Sequence, residues 1–291
     1  MIRRWLSTHG ARCLVASGLA MSFPLDATVP VNSFDWATSP LSEVQFFNEM
    51  MTWADASNHF KGPTAFRQRQ ATFAAMSRLG FEPAIAAVAL FDFARGEPKN
   101  SEPAFQRLLK VAKAGDVSAQ CALYPVYFLS KRSYPSSDAS AVLVPLLQAG
   151  ASLGHFACQF YLGVFINDGR EGLPSDPARA LPLITAAALQ GSVRAQSYLA
   201  YRLGTGRIDD LRKAEEALCW IASTSRHSAF EGIDVFANGL RFRAMDVRDR
   251  TGDDDLLQRV DALIDHWLVS RNPALARNTD PHECLNFRSE R

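Results

Sequence analysis

The sequence predicts an all-α fold: αα-hairpins stacked as a solenoid of about five repeats, with a helix ahead of them and a capping helix behind. Three observations carry this. A ten-residue phrase recurs in one phase, apolar residues ahead of each copy fall at helical spacing, and a glycine anchors nearly every copy.

The phrase is clearest at Gly191, "GSVRAQSYLA", where Ala195, Gln196, Leu199 and Ala200 follow the glycine. It returns at Gly154 as "GHFACQFYLG" and at Gly115 as "GDVSAQCALY". Looser copies start at Gly80, "GFEPAIAAVA", and at Ser228, followed by Gly232, Phe236 and Ala237. Successive anchors lie 35, 39, 37 and 37 residues apart. The outermost copies are the most degenerate, as terminal repeats facing solvent on one side should be.

The segment before each anchor reads as a first helix. Phe73, Leu108, Leu147, Ile184 and Ile221 stand seven places ahead of it. Ala104, Leu143, Ala180 and Ala217 stand eleven ahead, and Ser77, Ala112, Ala151, Ala188 and Ser225 three ahead. Separations of four, seven and eight place these on one helical stripe. The glycine then ends the helix in a left-handed turn that other residues resist. The second helix carries Ala, Leu and Ala, small enough for two backbones to approach closely. Gln196, repeated as Gln120 and Gln159, is expected to bridge backbone groups of neighbouring units.

Outside the repeats, Leu41 to Phe60 reads as a helix with Phe46, Phe47, Met50 and Trp53 apolar. Pro63 to Leu79 opens the earliest repeat. "DDDLLQRVDALIDHWL" reads as the capping helix, with Asp253 to Asp255 at its positive end and Leu256, Val260, Leu263 and Trp267 facing inward. The expected organisation is a targeting segment at 1–27, an N-terminal extension and helix at 28–61, repeats at 62–241, a capping helix at 242–270 and a mobile tail at 271–291.

A hydrophobic content of 47% supports a sizeable core, and a net charge of +1 supplies no basic surface for nucleic acid. No apolar stretch is long enough to span a bilayer. The first 25 residues lack Asp and Glu, carry Arg3, Arg4 and Arg12, and lead through "CLVASGLAMSF" to small residues at Ala20, Ser22 and Ala27. That layout is signal-like and points to export. An organelle transit peptide, or a start at Met21 in a cytoplasmic protein, stays open.

The search for chemistry returns structural readings. "GTG" at Gly204 to Gly206 has no G-K-S/T after it and reads as a turn. "HEC" at His282 to Cys284 crowds metal-ligand types onto a polar tail, unlike the separated ligands of a tetrahedral site. His155 and His227 sit beside repeat turns, where solvent-facing polar residues are ordinary. Neither a Ser-His-Asp nor a Cys-His arrangement has a supporting context, so no catalytic residue, metal or cofactor is expected. Five scattered cysteines (Cys13, Cys121, Cys158, Cys219, Cys284) without C-x-x-C are read as small buried hydrophobes, with a disulfide as the alternative.

These phrases resemble the Sel-one-like repeat family, a branch of the tetratricopeptide-like α-solenoids. "AALQGSVRAQSYLA" matches its pattern at Ala187, Ala188, Gly191, Ala195, Gln196 and Leu199. The stretch Leu162 to Leu181 resembles its inter-repeat turn, with Asp176 and Pro177 as N-cap and first-turn pair. The resemblance is good from Ala104 to Arg226 and faint from Gln68 to Arg95. Pro145 and Pro182, each nine before its glycine, depart from the family and predict a kink or a late helix start. A disulfide-rich branch of the family pairs cysteines within each repeat. Cys121, Cys158 and Cys219 occupy different offsets and do not fit that scheme, so Cys158 reads as a filler of the small-residue slot.

The resemblance implies that first helices line a concave face. Positions nine, six, five and two before each anchor then point into it. Leu109, Lys110, Gln148, Ala149, Ser152, Thr185, Ala186, Leu189 and Arg226 are the expected partner-binding residues, a row that is small and apolar in its middle. Such a surface suits a protein or peptide with an apolar face, unless the chain's own residues 25–60 fill it. The resemblance implies a non-enzymatic binding scaffold or adaptor, commonly bacterial. A secreted effector or envelope assembly factor is one alternative, and a hydrolase on a repeat frame is another.

Overall fold

Twelve helices follow one another among the described residues, and those residues contain no strand. The computed structural model describes residues 34–55, 62–94, 101–130, 139–204, 211–224, 233–268 and 281–285, all within the unit Val31–Arg291. The helices are α1 (Glu43–Asp55), α2 (Gly62–Arg78), α3 (Glu82–Ala94), α4 (Ser101–Lys113), α5 (Val117–Ser130) and α6 (Ala139–Ser152). After them come α7 (Phe156–Asp168), α8 (Pro177–Leu189), α9 (Val193–Gly204), α10 (Leu211–Thr224), α11 (Ile233–Thr251) and α12 (Leu256–Leu268). A short 3-10 turn, Pro281–Leu285, closes the described chain.

Each of α2 to α10 packs on the helix that follows it, and second helices α3, α5 and α7 also touch across repeats. This is the helix-pair stacking that the repeated phrase predicts. The stripes are buried as expected: Phe73, Leu108, Leu147, Ile184 and Ile221 all lie in the core, with Ala112, Ala151 and Ala188. At roughly 25 cal/mol per Å² of apolar surface removed from water, the burial of these stripes contributes directly to stability.

The turn chemistry explains the anchors. Gly80, Gly115, Gly154 and Gly191 all have positive φ, between 85° and 102°. At Gly191 the glycine N–H donates to the Ala188 carbonyl at 3.0 Å, and the Ser192 N–H to that of Ala187 at 3.1 Å. That bond pair is the Schellman closure. The next residue then caps the following helix: Asp116 accepts from the Ala119 N–H, His155 Nδ1 from that of Ala157, and the Ser192 hydroxyl from that of Ala195. Asp176 accepts from the Arg179 N–H at 3.0 Å ahead of Pro177, so the inter-repeat turn is capped as its sequence suggests.

Several expectations are corrected. The late start is corrected: α6 begins six residues before Pro145 and α8 five before Pro182, and both helices continue through the proline. Each proline frees the carbonyl four residues earlier, on Ala141 and Ala178, and both are exposed, so water can satisfy it. Gln120 and Gln196 do not bridge units. Each donates to its own first helix, at Ala112 and Ala188, whereas Gln159 alone reaches the next repeat by accepting from Gln190. The proposed boundary at 241/242 falls inside α11.

The cysteines are corrected most. Cys121 on α5 and Cys158 on α7 form a disulfide, and Cys219 on α10 bonds Cys284. Their offsets differ because the first bridge joins second helices of consecutive repeats, Cα atoms 4.8 Å apart, rather than one repeat to itself. Part of the presumed mobile tail is therefore fixed, with Cys284 fully buried.

At the other end, α1 starts with a capping box. The Ser42 N–H donates to Gln45 Oε1 while the Gln45 N–H donates to the Ser42 hydroxyl. Phe46, Phe47, Met50 and Met51 are buried, against Phe73, Phe81 and Phe156 among others. The Trp53 side chain lies outside the described residues, as do 56–61.

Candidate functional site

The predicted row lies on successive first helices, and its exposure is graded along the chain. Six and five before the anchors, Leu109, Gln148, Ala149, Thr185 and Ala186 are half-buried and Lys110 is exposed. Ser152 is exposed, Leu189 half-buried, and Arg226 lies outside the described residues. The row residues on α6 and α8 are uncharged, and the stripe residues Leu147, Ile184, Ala187 and Ala188 on the same helices are buried.

On α10 the same register is closed. Cys219, Ala222 and Ser223 are 0%, 3% and 1% exposed, although Gln106, Pro145 and Pro182 at the Cys219 position of earlier helices are exposed. The cover is the chain's own C-terminal part. Helix α12 packs on α10, and the turn Pro281–Leu285 lies on α10 and reaches α8, bonded through Cys219–Cys284. Residues 25–60 were the alternative occupant of the row; on α10 the observed cover comes from the opposite end of the chain.

Helix α1 instead lies along the turns that join first helices to second ones, packing on α5 and α9. Its polar side chains read the helix starts. Asn48 donates to the Gly191 carbonyl at 2.9 Å and accepts from the Val193 N–H at 3.0 Å. Glu43 accepts from the Ser118 hydroxyl and pairs with His155 Nε2 at 3.1 Å. Burial pushes the Glu43 carboxyl up, but the bonds from His155 and Ser118 outweigh it and hold the group below its ordinary value. His155 is therefore a buried joint residue, not a solvent-facing one, with its side chain 7% exposed. His227 lies outside the described residues.

A small pocket opens between α5, α6 and α7. Gln120, Tyr124, Ser140, Leu143, Leu147, Phe165 and Glu171 are among its lining. The Ser140 hydroxyl donates to the Glu171 carboxylate, and Gln120 Oε1 is buried there without a hydrogen-bond partner. Burial and the nearby Glu171 push the Tyr124 phenol up to about 12, so it stays protonated at neutral pH and can donate but not abstract a proton. Among the described residues no three of His, Cys, Asp and Glu stand close enough to hold a metal ion. No described helix is long and apolar enough to cross a membrane.

With this geometry in place, the solved structures similar to the chain include two repeat proteins. One is a protective antigen of uropathogenic Escherichia coli displaying an SLR fold, at 23% identity and a TM-score of 0.43, covering 85% of this chain and 48% of its own. The other is a Sel1 repeat protein from Oxalobacter formigenes, at 18% identity and a TM-score of 0.42, covering 76% and 87% respectively. Both are Sel1-type repeat proteins. The chain spans about half the length of the first. No family model and no curated protein matches the sequence.

Sequence reasoning missed three features around these helix pairs. The capping role of the residue after each glycine was visible in Asp116 and Ser192, two common N-cap types. The S-x-x-Q box at Ser42 to Gln45 was visible too. The covering of α10 by the turn at Pro281 had no periodic signal at all.

Proposed function

We propose that the chain is a non-enzymatic scaffold that binds a protein or peptide through the first-helix row on α4, α6 and α8. One observation carries the reading: consecutive first helices offer half-buried, mostly small and neutral side chains in register, directly over a fully packed core. Leu109, Ala149, Ala186 and Leu189 supply the apolar contact, with Gln148, Thr185, Lys110 and Ser152 as its polar members. A helix or extended segment with one apolar face fits this strip. Arg226 belongs to the same register by sequence.

Two disulfides among the described residues favour an oxidising compartment, because cytosolic thiols are kept reduced. They support export as the location, in keeping with the signal-like start. The secreted-effector or envelope-assembly reading differs from a cytoplasmic adaptor on this one point. N-terminal sequencing of exported material distinguishes them: a mature chain starting after Ala20 to Ala27 is expected, and intracellular material starting at Met1 or Met21 overturns export.

The binding reading is tested by affinity capture with the full chain. Leu189→Glu and Ala149→Glu place a carboxylate in the strip and should each lose the captured partner while far-UV circular dichroism stays unchanged. Capture that survives both substitutions in folded protein overturns the strip as the binding surface.

A further inference from the structure

The face of α10 continues the register of the strip, yet among the described residues it is the stretch of that register already filled. Helix α10 is buried all round from Glu216 to Thr224, although it is a first helix by its place in the repeat. The filling includes a five-residue turn, Pro281–Leu285, held at one point by a covalent bond whose two sulfurs lie under it. Leu285 packs against the core beside that bond. The turn also reaches α8, whose own row residues remain half-buried. A short segment with a cysteine and a following leucine is thus shown seated on a first-helix face.

We propose that this face of α10, with Cys219 as its anchoring thiol, is a binding site for short Pro-x-x-Cys-Leu segments, and that Pro281–Leu285 is its resident, tethered occupant. The proposal deepens the scaffold reading by naming a class of ligand for the end of the same surface. The chemistry is thiol–disulfide exchange. An incoming segment's cysteine thiolate attacks Cys219 Sγ and forms the new S–S bond. The bond to Cys284 breaks, and its electron pair leaves on Cys284 Sγ, which takes up a proton. No net oxidant or reductant is consumed. Cys219 and Cys284 are both fully buried, so exchange must follow lifting of the turn. The tethered segment also competes at an effective concentration on the order of millimolar, which sets the bar for a free segment.

The test uses the full chain in a Cys13→Ala background, so that Cys13 cannot capture the probe. The probe is a labelled synthetic peptide with the sequence of residues 279–287, supplied as its mixed disulfide with glutathione. In the Cys284→Ala variant the Cys219 thiolate attacks the peptide's sulfur and glutathione leaves as its thiolate. Mass spectrometry should find the peptide on Cys219 at least ten-fold more than a scrambled peptide with its cysteine in the same place. The chain with Cys284 intact should capture at least ten-fold less. Equal capture of the scrambled peptide, or no adduct at Cys219, overturns the proposal. A second measurement covers misfolding of the variant: with Cys284 intact, in a glutathione redox buffer, the cognate peptide should form half its adduct at ten-fold lower concentration than the scrambled one. Equal concentrations there overturn it as well. Leu189→Glu is the control for the scaffold reading, since peptide capture should survive it even where partner capture is lost.

Discussion

Gly150 is the position at which replacing one hydrogen by a methyl group reports most sharply on how the repeats are joined. It lies in α6, four residues before the anchor Gly154. A Cβ built there falls 2.3 Å from Cys158 Sγ and 2.8 Å from Cys121 Sγ. Both distances are far inside carbon–sulfur contact, and neither sulfur can swing away, because each is bonded to the other and rooted in its own helix. In an open helix Gly→Ala stabilises by about 0.8–1.0 kcal/mol. Overpacking of this kind costs about 1–3 kcal/mol. Because both sulfurs are fixed, the overpacking falls at the upper end of that range, and the expected net effect of Gly150→Ala is a loss of about 2 kcal/mol, or a fall in Tm of about 4–8 °C for a chain of this size. In a Cys121→Ala, Cys158→Ala background the sign should reverse. That background is itself less stable by about 3–4 kcal/mol, from a loop closed over 37 residues. The nearest remaining atom is then the Cβ of residue 158, at 3.3 Å, which needs to give only a few tenths of an ångström. Helix propensity should then dominate and raise Tm by roughly 2–4 °C. Thermal melts followed by circular dichroism on the four chains decide it. A rise in Tm on Gly150→Ala in the unaltered chain, or an equal fall in both backgrounds, would refute the reasoning.

Three further outcomes follow from the joints of the fold. Asn48→Ala removes two hydrogen bonds, to the Gly191 carbonyl and the Val193 N–H, and should cost about 1–3 kcal/mol in urea denaturation; an unchanged midpoint would mean α1 is not docked there. Glu43 is held below its ordinary value of 4.5, so its contribution is complete above that pH and is lost as pH falls through the depressed value. Glu43→Gln should therefore be less stable than the unaltered chain at neutral pH, with the gap closing on acidification below 4.5; a gap that widens contradicts the sign. Gln196 makes one bond, to Ala188, and buries an unpartnered Oε1, so Gln196→Met should stay within about 1 kcal/mol of the unaltered chain while Gln196→Ala, which leaves a cavity, should lose about 2 kcal/mol more.

The fold was legible because its determinants are local and repeated. The left-handed turn needs a residue without a side-chain clash, so glycine appears at Gly80, Gly115, Gly154 and Gly191 and marks the phase. The stripe of Leu108, Leu147, Ile184 and Ile221 follows from a 3.6-residue period, which is visible within any one copy. The glutamines were found but misassigned. Sequence shows that Gln120 and Gln196 recur, but which carbonyl each reaches depends on its rotamer. Each is buried against its own first helix, whereas Gln159 is only half-buried and turns outward to Gln190.

What stayed illegible in the row and its neighbours depends on contacts between copies, not on any copy alone. Cys121 and Cys158 sit six and four places after their anchors, and a rule that looks for equal offsets rejects them. Neighbouring second helices run side by side, so the residues that meet need not share an offset. Whether two sulfurs can bond is decided by Cα separation, which is 4.8 Å here, well within what a disulfide spans. The tail poses the same problem over a longer range. Nothing in "PHECL" is periodic, and a polar stretch beyond a capping helix is ordinarily loose. The clue lay in α10 instead: a register that is exposed at Pro145 and Pro182 carries a cysteine at 219, and then Ala222 and Ser223. A thiol on an otherwise open face needs either a partner or a reason to stay reduced, and in this chain the partner comes from 65 residues further on.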